Sequence, residues 1–131
     1  MSRPFIDSNV VLYLLSGDEA KADKAEAILQ AGGFVSVQVL NEVTSVCRRK
    51  LNMPWHEVDA ILQAVKASCE VQPLNLASHD KAVEIAKRFA LSFYDANIVA
   101  CAVMSGASVL LSEDMQAGLL IDSVRIQNPF T

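Results

Sequence analysis

Four acids carry the chemical interest of this sequence: Asp7, Glu42, Asp95 and Asp114. Asp7 follows the apolar pair Phe5-Ile6, and Asp114 follows the run Val109-Leu110-Leu111-Ser112. Glu42 lies among Val39, Val43 and Val46, and Asp95 stands in Tyr94-Asp95-Ala96 where a helix is about to begin. Each has an ordinary reading on its own: Asp95 as a helix cap, Asp7 and Asp114 as solvated loop acids, Glu42 as a surface acid paired with Arg49. Together they read differently, because four acids from four segments meet only in a fold organised around them, and crowded carboxylates without bases need a cation. Oxygen donors with no histidine or thiolate make a hard site that favours Mg²⁺ or Mn²⁺ over zinc. Such ions hold a phosphodiester, activate a water and stabilise a leaving oxygen. Ser8, Asn9 and Ser112 stand beside the acids as short polar groups able to orient them, with a turn role as the alternative for Asn9 and Ser112.

The elements that must position these residues follow from hydrophobic spacing. Phe5 to Asp7, Phe34 to Val37, Glu70 to Leu74 and Val109 to Ser112 read as short strands, with Val124 to Ile126 as a fifth. Asp18 to Gln30 reads as a helix closed by Gly32-Gly33, and Gln38 to Leu51 as an amphipathic helix. Further helices are expected from Pro54 to Ser68, around Ala82 to Ala90, and around Ile98 to Val103 with Gly106 as cap. Short buried strands alternating with helices imply an α/β fold, a mostly parallel central sheet of four to five short strands with helices on both faces. Function in such sheets gathers at the carboxyl ends of strands, where Asp7 and Asp114 stand. Glu42 can face the same edge.

Composition narrows the class. The 131 residues are 52% hydrophobic and 20% charged, with no low-complexity stretch, repeat or linker, so one domain over 1–131 is expected. The net charge of −4 excludes a generic polybasic nucleic-acid binder, but not a nuclease, since a carboxylate metal site is itself negative until filled. Three cysteines, Cys47, Cys69 and Cys101, form no C-x-x-C pair and read as packing residues of a reduced compartment. The first residues show no export leader, and no apolar run approaches the ~20 residues of a membrane helix. A cytoplasmic protein is expected.

The motifs Phe5-Ile6-Asp7-Ser8-Asn9, Asn41-Glu42, Tyr94-Asp95-Ala96, Gly106, Leu111-Ser112-Glu113-Asp114-Met115-Gln116, Gly118 and Asn128-Pro129-Phe130 occur in an order and spacing that resembles the PIN domain, and within it the VapC-type toxins. The resemblance covers nearly the whole chain. It implies a metal-dependent ribonuclease with Asp7, Glu42, Asp95 and Asp114 as ligands and Ser112 as the accompanying hydroxyl. It further implies a small antitoxin as partner and a homodimer. Asn97 departs from the commonest pattern, in which a further acid sometimes stands there. An arginine from an inhibitor would suit the negative edge, and apolar surface of the helices between Asp18 and Ser68 would suit the dimer.

Other features have competing readings. The run Arg48-Arg49-Lys50 is either a solvated face or, through Arg48 and Arg49, an RNA phosphate contact. His56 and His79 are too far apart in the chain to support a zinc site or a triad, and Ser8 lacks a histidine to activate it. Trp55 reads as a hydrophobic anchor of its helix. Two other functions stay open: a phosphatase or phosphotransferase with Asp7 as nucleophile, and a non-catalytic interaction module of the same fold. The first usually carries an acid where Asn9 stands and a late lysine, whereas no lysine follows Lys87.

Overall fold

The computed structural model describes residues 3–131. Met1 and Ser2, among the first residues read above for an export leader, lie outside the described residues. Phe5–Ile6 form β1, fully buried, and Asp7 ends the strand and caps the short helix α1 (Ser8–Leu12), which runs into a 3-10 turn at Tyr13–Leu15. Asp18 accepts a hydrogen bond from the Lys21 amide and starts α2 (Glu19–Ala31). Strand β2 (Gly33–Ser36) leads directly into α3 (Val37–Arg49), whose cap is the Ser36 hydroxyl. Next come α4 (Trp55–Ser68), β3 (Cys69–Gln72), α5 (Leu76–Phe89), α6 (Phe93–Ser105) and β4 (Val109–Leu111). A hairpin of β5 (Leu120–Ile121) and β6 (Val124–Gln127) completes the order.

The six strands lie in the order β3-β2-β1-β4-β6-β5, parallel throughout except for the β5–β6 pair. The sequence reading of four to five strands is thus one short: β5 has two residues, too few to show a period, and exists because it pairs with β6. Right-handed crossovers, the rule for parallel units, place α1 to α4 on one face and α5 and α6 on the other. The buried segment Ala96 to Ala102 of α6 packs on β2, β4 and β6. No helix among the described residues is long and apolar enough to cross a membrane.

Two local choices fix the site's frame. Gly33 lets β2 approach β1, since a Cβ there would stand 2.4 Å from the Pro4 carbonyl oxygen. The chain also leaves β1 for β2 and β3 on one side and returns to β4 on the other, so a topological switch point falls between β1 and β4. Crevices form outside the carboxyl ends of strands at such points, and Asp7 and Ser112–Asp114 flank this one.

Candidate active site

Asp7 is the hub. It is 4% exposed, and its Oδ1 accepts from the Ser8 backbone N–H at 2.7 Å while Oδ2 accepts from the Ser112 hydroxyl at 2.9 Å and the Asn9 amide at 3.2 Å. Among the described residues no basic side chain is one of its hydrogen-bond partners. Burial therefore dominates and pushes its carboxyl up to about 6, against the pull of Ser112 and Ser8, with the charges of Glu42 and Asp95 raising it further.

Two bridges tie other acids to this hub. The Ser8 hydroxyl donates to Glu42 Oε1 at 2.7 Å and lies 3.4 Å from Asp7 Oδ1. The Asn9 Nδ2 lies 3.2 Å from Asp7 Oδ2, from Ser112 Oγ and from Asp114 Oδ2 alike, and Asn9 Oδ1 accepts from the Glu113 amide at 3.0 Å. The Asn9 side chain thus holds the loop after β4 against the end of β1. Ser112 is wholly buried, and its oxygen also accepts from the Asp114 amide.

Asp95 joins the group through its field alone. The N-cap of α6 is Ser92, whose hydroxyl accepts from the Asp95 amide at 3.1 Å, so the capping role that the sequence offered Asp95 belongs to Ser92. Burial raises the Asp95 carboxyl, against the pull of a hydrogen bond with the Ser92 side chain, the charge of Asp114 raises it further, and Asp95 raises Asp7 in turn. Glu42 makes no ion pair with Arg49; its partners are Ser8 and the Gln38 amide at 3.2 Å.

Among the described residues no three acid, histidine or cysteine side chains gather closely enough to hold a metal ion as they stand. The Asn9 amide stands between Asp7 and Asp114, and the Ser8 hydroxyl between Asp7 and Glu42. The donor set nevertheless suits a hard divalent cation: it is all oxygen, it centres on a buried carboxylate, and the neighbouring acids raise the affinity of Asp7 and Asp95 for positive charge.

Sequence reasoning missed a brace beside the site. The Tyr13 hydroxyl donates to Glu113, and Lys21 Nζ lies 3.2 Å from both the Tyr13 oxygen and Glu113 Oε2. These contacts hold the Glu113 carboxyl below its ordinary value, Tyr13 first, and raise Lys21. Phe130 closes the brace, its ring 4.6 Å from that of Tyr13. Gln38 was missed as well, although its place one turn before Glu42 is a usable signal. Arg48 stands apart from the acids: its guanidinium donates to the Met53 carbonyl at 2.7 Å and covers the Trp55 ring. Trp55, read as a hydrophobic anchor of its helix, is 55% exposed within one chain, with the Arg48 guanidinium over its ring. The three cysteines are free and buried, as expected of packing residues.

A parallel sheet with acids at its switch point defines an α/β domain with a carboxylate-lined edge. The chain belongs to the PIN domain family, whose model matches residues 5–117. Solved structures share its fold. A toxin-antitoxin complex from Klebsiella pneumoniae is 18% identical, with a TM-score of 0.71 over 92% of this chain and 94% of that one. VapC20 of Mycobacterium tuberculosis, a sarcin-ricin loop cleaving toxin, is 18% identical, with a TM-score of 0.66 over 84% and 90%. VapBC2 of Rickettsia felis, bound to a DNA fragment from its promoter, is 13% identical, with a TM-score of 0.69 over 95% and 96%. Among curated proteins, no sequence matches.

Proposed function

We propose that this chain is a metal-dependent endoribonuclease of the VapC toxin type, cleaving RNA phosphodiester bonds at the edge formed by Asp7, Glu42, Asp95 and Asp114. The observation that carries the reading is Asp7, a buried carboxylate raised to about 6 with other acids in its field. Such a group costs the fold free energy unless a cation compensates it. Asp7, Glu42, Asp95 and Asp114 are the residues that would hold Mg²⁺ or Mn²⁺. When bound, that ion supplies Lewis acidity toward water and toward the phosphate oxygens. The chain's own part is positional. Ser112 and Ser8 fix the plane of the Asp7 carboxylate, Asn9 sets Asp114 relative to it, and Gln38 with Ser8 orients Glu42.

The surface beside the site supports the antitoxin expectation. A depression of about 340 Å³ lined by Leu12, Leu15, Val46 and Leu51 adjoins Asp114 and Glu113. An apolar segment ending in an arginine fits that combination, the guanidinium meeting the acids while its neighbours cover the leucines. Toxin chains of the same fold have been solved in toxin-antitoxin complexes, which supports a small protein partner. The homodimer remains part of the reading on family grounds.

The test is cleavage of a mixed RNA substrate with Mg²⁺, with Mn²⁺ and with chelator, by the unaltered chain and by Asp7→Asn. Cleavage that needs metal and vanishes in Asp7→Asn supports the reading. A phosphorylated Asp7 trapped from a phosphate donor overturns it in favour of a phosphatase, and the absence of cleavage in Mn²⁺ leaves only an interaction module.

A further inference from the structure

The polar stripe of α3 continues past Glu42. Gln38, Glu42, Ser45 and Arg49 follow at steps of four, three and four, so they share one helix face. Arg49 therefore stands two turns, roughly 10 Å, beyond Glu42. A depression of about 380 Å³ runs along this stripe and is closed by Tyr94. A second cleft, about 350 Å³, adjoins it and shares Gln38 and Tyr94; His79 and Phe93 form its aromatic wall, with Asn75 and Asn97 also lining it.

Three properties of this surface call for an occupant. Tyr94 precedes Asp95 in the chain and is 66% exposed; Phe93, packed on His79, meets it edge-on and leaves most of the Tyr94 ring open to solvent beside the acids. Arg49 makes no ion pair among the described residues, whereas its neighbour Arg48 is engaged by Met53 and Trp55. The second cleft is also lined by Gln38 and Asn75; with the Gln38 nitrogen held by Glu42 and the Asn75 oxygen by the Ser78 amide, the Gln38 oxygen and the Asn75 nitrogen are the atoms suited to hydrogen-bond a base edge.

We propose that Tyr94 is a stacking platform for an unpaired RNA base beside the cleaved bond, and that Arg49 takes a backbone phosphate of the same strand. The proposal rests on the nuclease reading above and adds to it the residues that choose and seat the substrate. An exposed ring gives any base a face to stack on, and a free guanidinium supplies the positive charge that this acidic chain otherwise withholds from a polyanion. The stack needs a base that is out of a duplex, as in a single strand or a loop.

The experiment measures binding of a labelled, unstructured oligoribonucleotide in Mn²⁺ to the full chain carrying Asp7→Asn, which keeps the RNA intact. Adding Tyr94→Ala is expected to weaken binding between roughly fivefold and a hundredfold, the range for loss of one base-aromatic stack. Tyr94→Phe keeps the ring and most of the affinity, while Tyr94→Leu keeps only bulk and loses it. Arg49→Ala lowers the slope of log affinity against log salt by about 0.7, the value for one phosphate contact on a single strand. In the cleaving chain, Tyr94→Ala raises KM or changes the base preferred at the cut. Unchanged binding by Tyr94→Ala and Tyr94→Leu, in a chain whose parent still cleaves RNA, overturns the platform and leaves the nuclease. A parent that neither binds nor cleaves RNA removes both. Conversion of a dimer to monomers by Tyr94→Ala, with affinity per chain unchanged, assigns the ring to a contact between copies and overturns the proposal.

Discussion

Replacing Asp7 by asparagine is expected to stabilise the protein while it destroys the site. Burial raises the Asp7 carboxyl from 3.8 to about 6. At about 1.4 kcal/mol for each pH unit between those values, ionised Asp7 costs the fold on the order of 3 kcal/mol. The sign follows from which state holds the proton more tightly. The folded chain does, so the stability is fully present below about 3.8 and is lost as pH rises through about 6. Asparagine carries no charge and escapes that loss. Its oxygen can take the Ser8 amide and its nitrogen can face the Ser112 hydroxyl, which rotates to accept, but that nitrogen meets the Asn9 amide donor to donor. One lost hydrogen bond costs about 1 kcal/mol. The net gain at pH 8 is then about 2 kcal/mol, or roughly 7 °C in Tm for a domain of this size. Urea titrations in chelator at pH 8 and below pH 4 check it, with the gain vanishing or reversing in acid. A loss of stability at pH 8, or a gain independent of pH, would refute the account of Asp7 as an uncompensated buried charge.

Three further outcomes follow from the same geometry. Mn²⁺ at a hundredfold excess over its Kd should stabilise the unaltered chain by about 2.7 kcal/mol, and calorimetry should show that shift largely absent in Asp7→Asn. Ser112→Ala leaves Asp7 Oδ2 and the Asp114 amide each short of a partner; it should cost about 1–3 kcal/mol and raise the Asp7 pKa further, readable by NMR titration of the carboxyl carbon. Gly33→Ala drives a Cβ against the Pro4 carbonyl and should cost on the order of 2 kcal/mol in urea, lowering cleavage only as far as β1 shifts.

How much of this was legible in the sequence depends on the range of the interactions involved. The helices from Gln38 to Ser68 and the strand Val109–Leu111 announce themselves because burial on one stripe, or on both faces, leaves a local period, whereas the helix from Asp18 is marked by its helix-forming composition and its closing glycines. β5 left none, being two residues whose strand character comes from β6. Asp7 and Asp114 could be placed at one edge from strand polarity alone. The division of labour at α6 is also local, a serine three residues before Asp95, yet an aspartate at a helix start invites the wrong assignment of the cap. The Tyr13–Lys21–Glu113 brace and the three-way bridge by Asn9 join residues about a hundred positions apart, and nothing in either segment marks the other as its partner.

That separation has a consequence in time. β1 pairs with β2 across few residues, Phe5 with Phe34, so the first half of the sheet can form early in synthesis. The bridge from Asn9 to Ser112 spans 103 positions, which a ribosome covers in about 5 to 20 s. Through that interval the nascent chain carries Asp7 and Glu42 but lacks the strand and loop that complete their edge. On the proposed nuclease reading the edge that would cut RNA is incomplete for most of the chain's synthesis, and the delay comes from strand order alone: the first strand made must wait at the centre of the sheet for a neighbour made near the end.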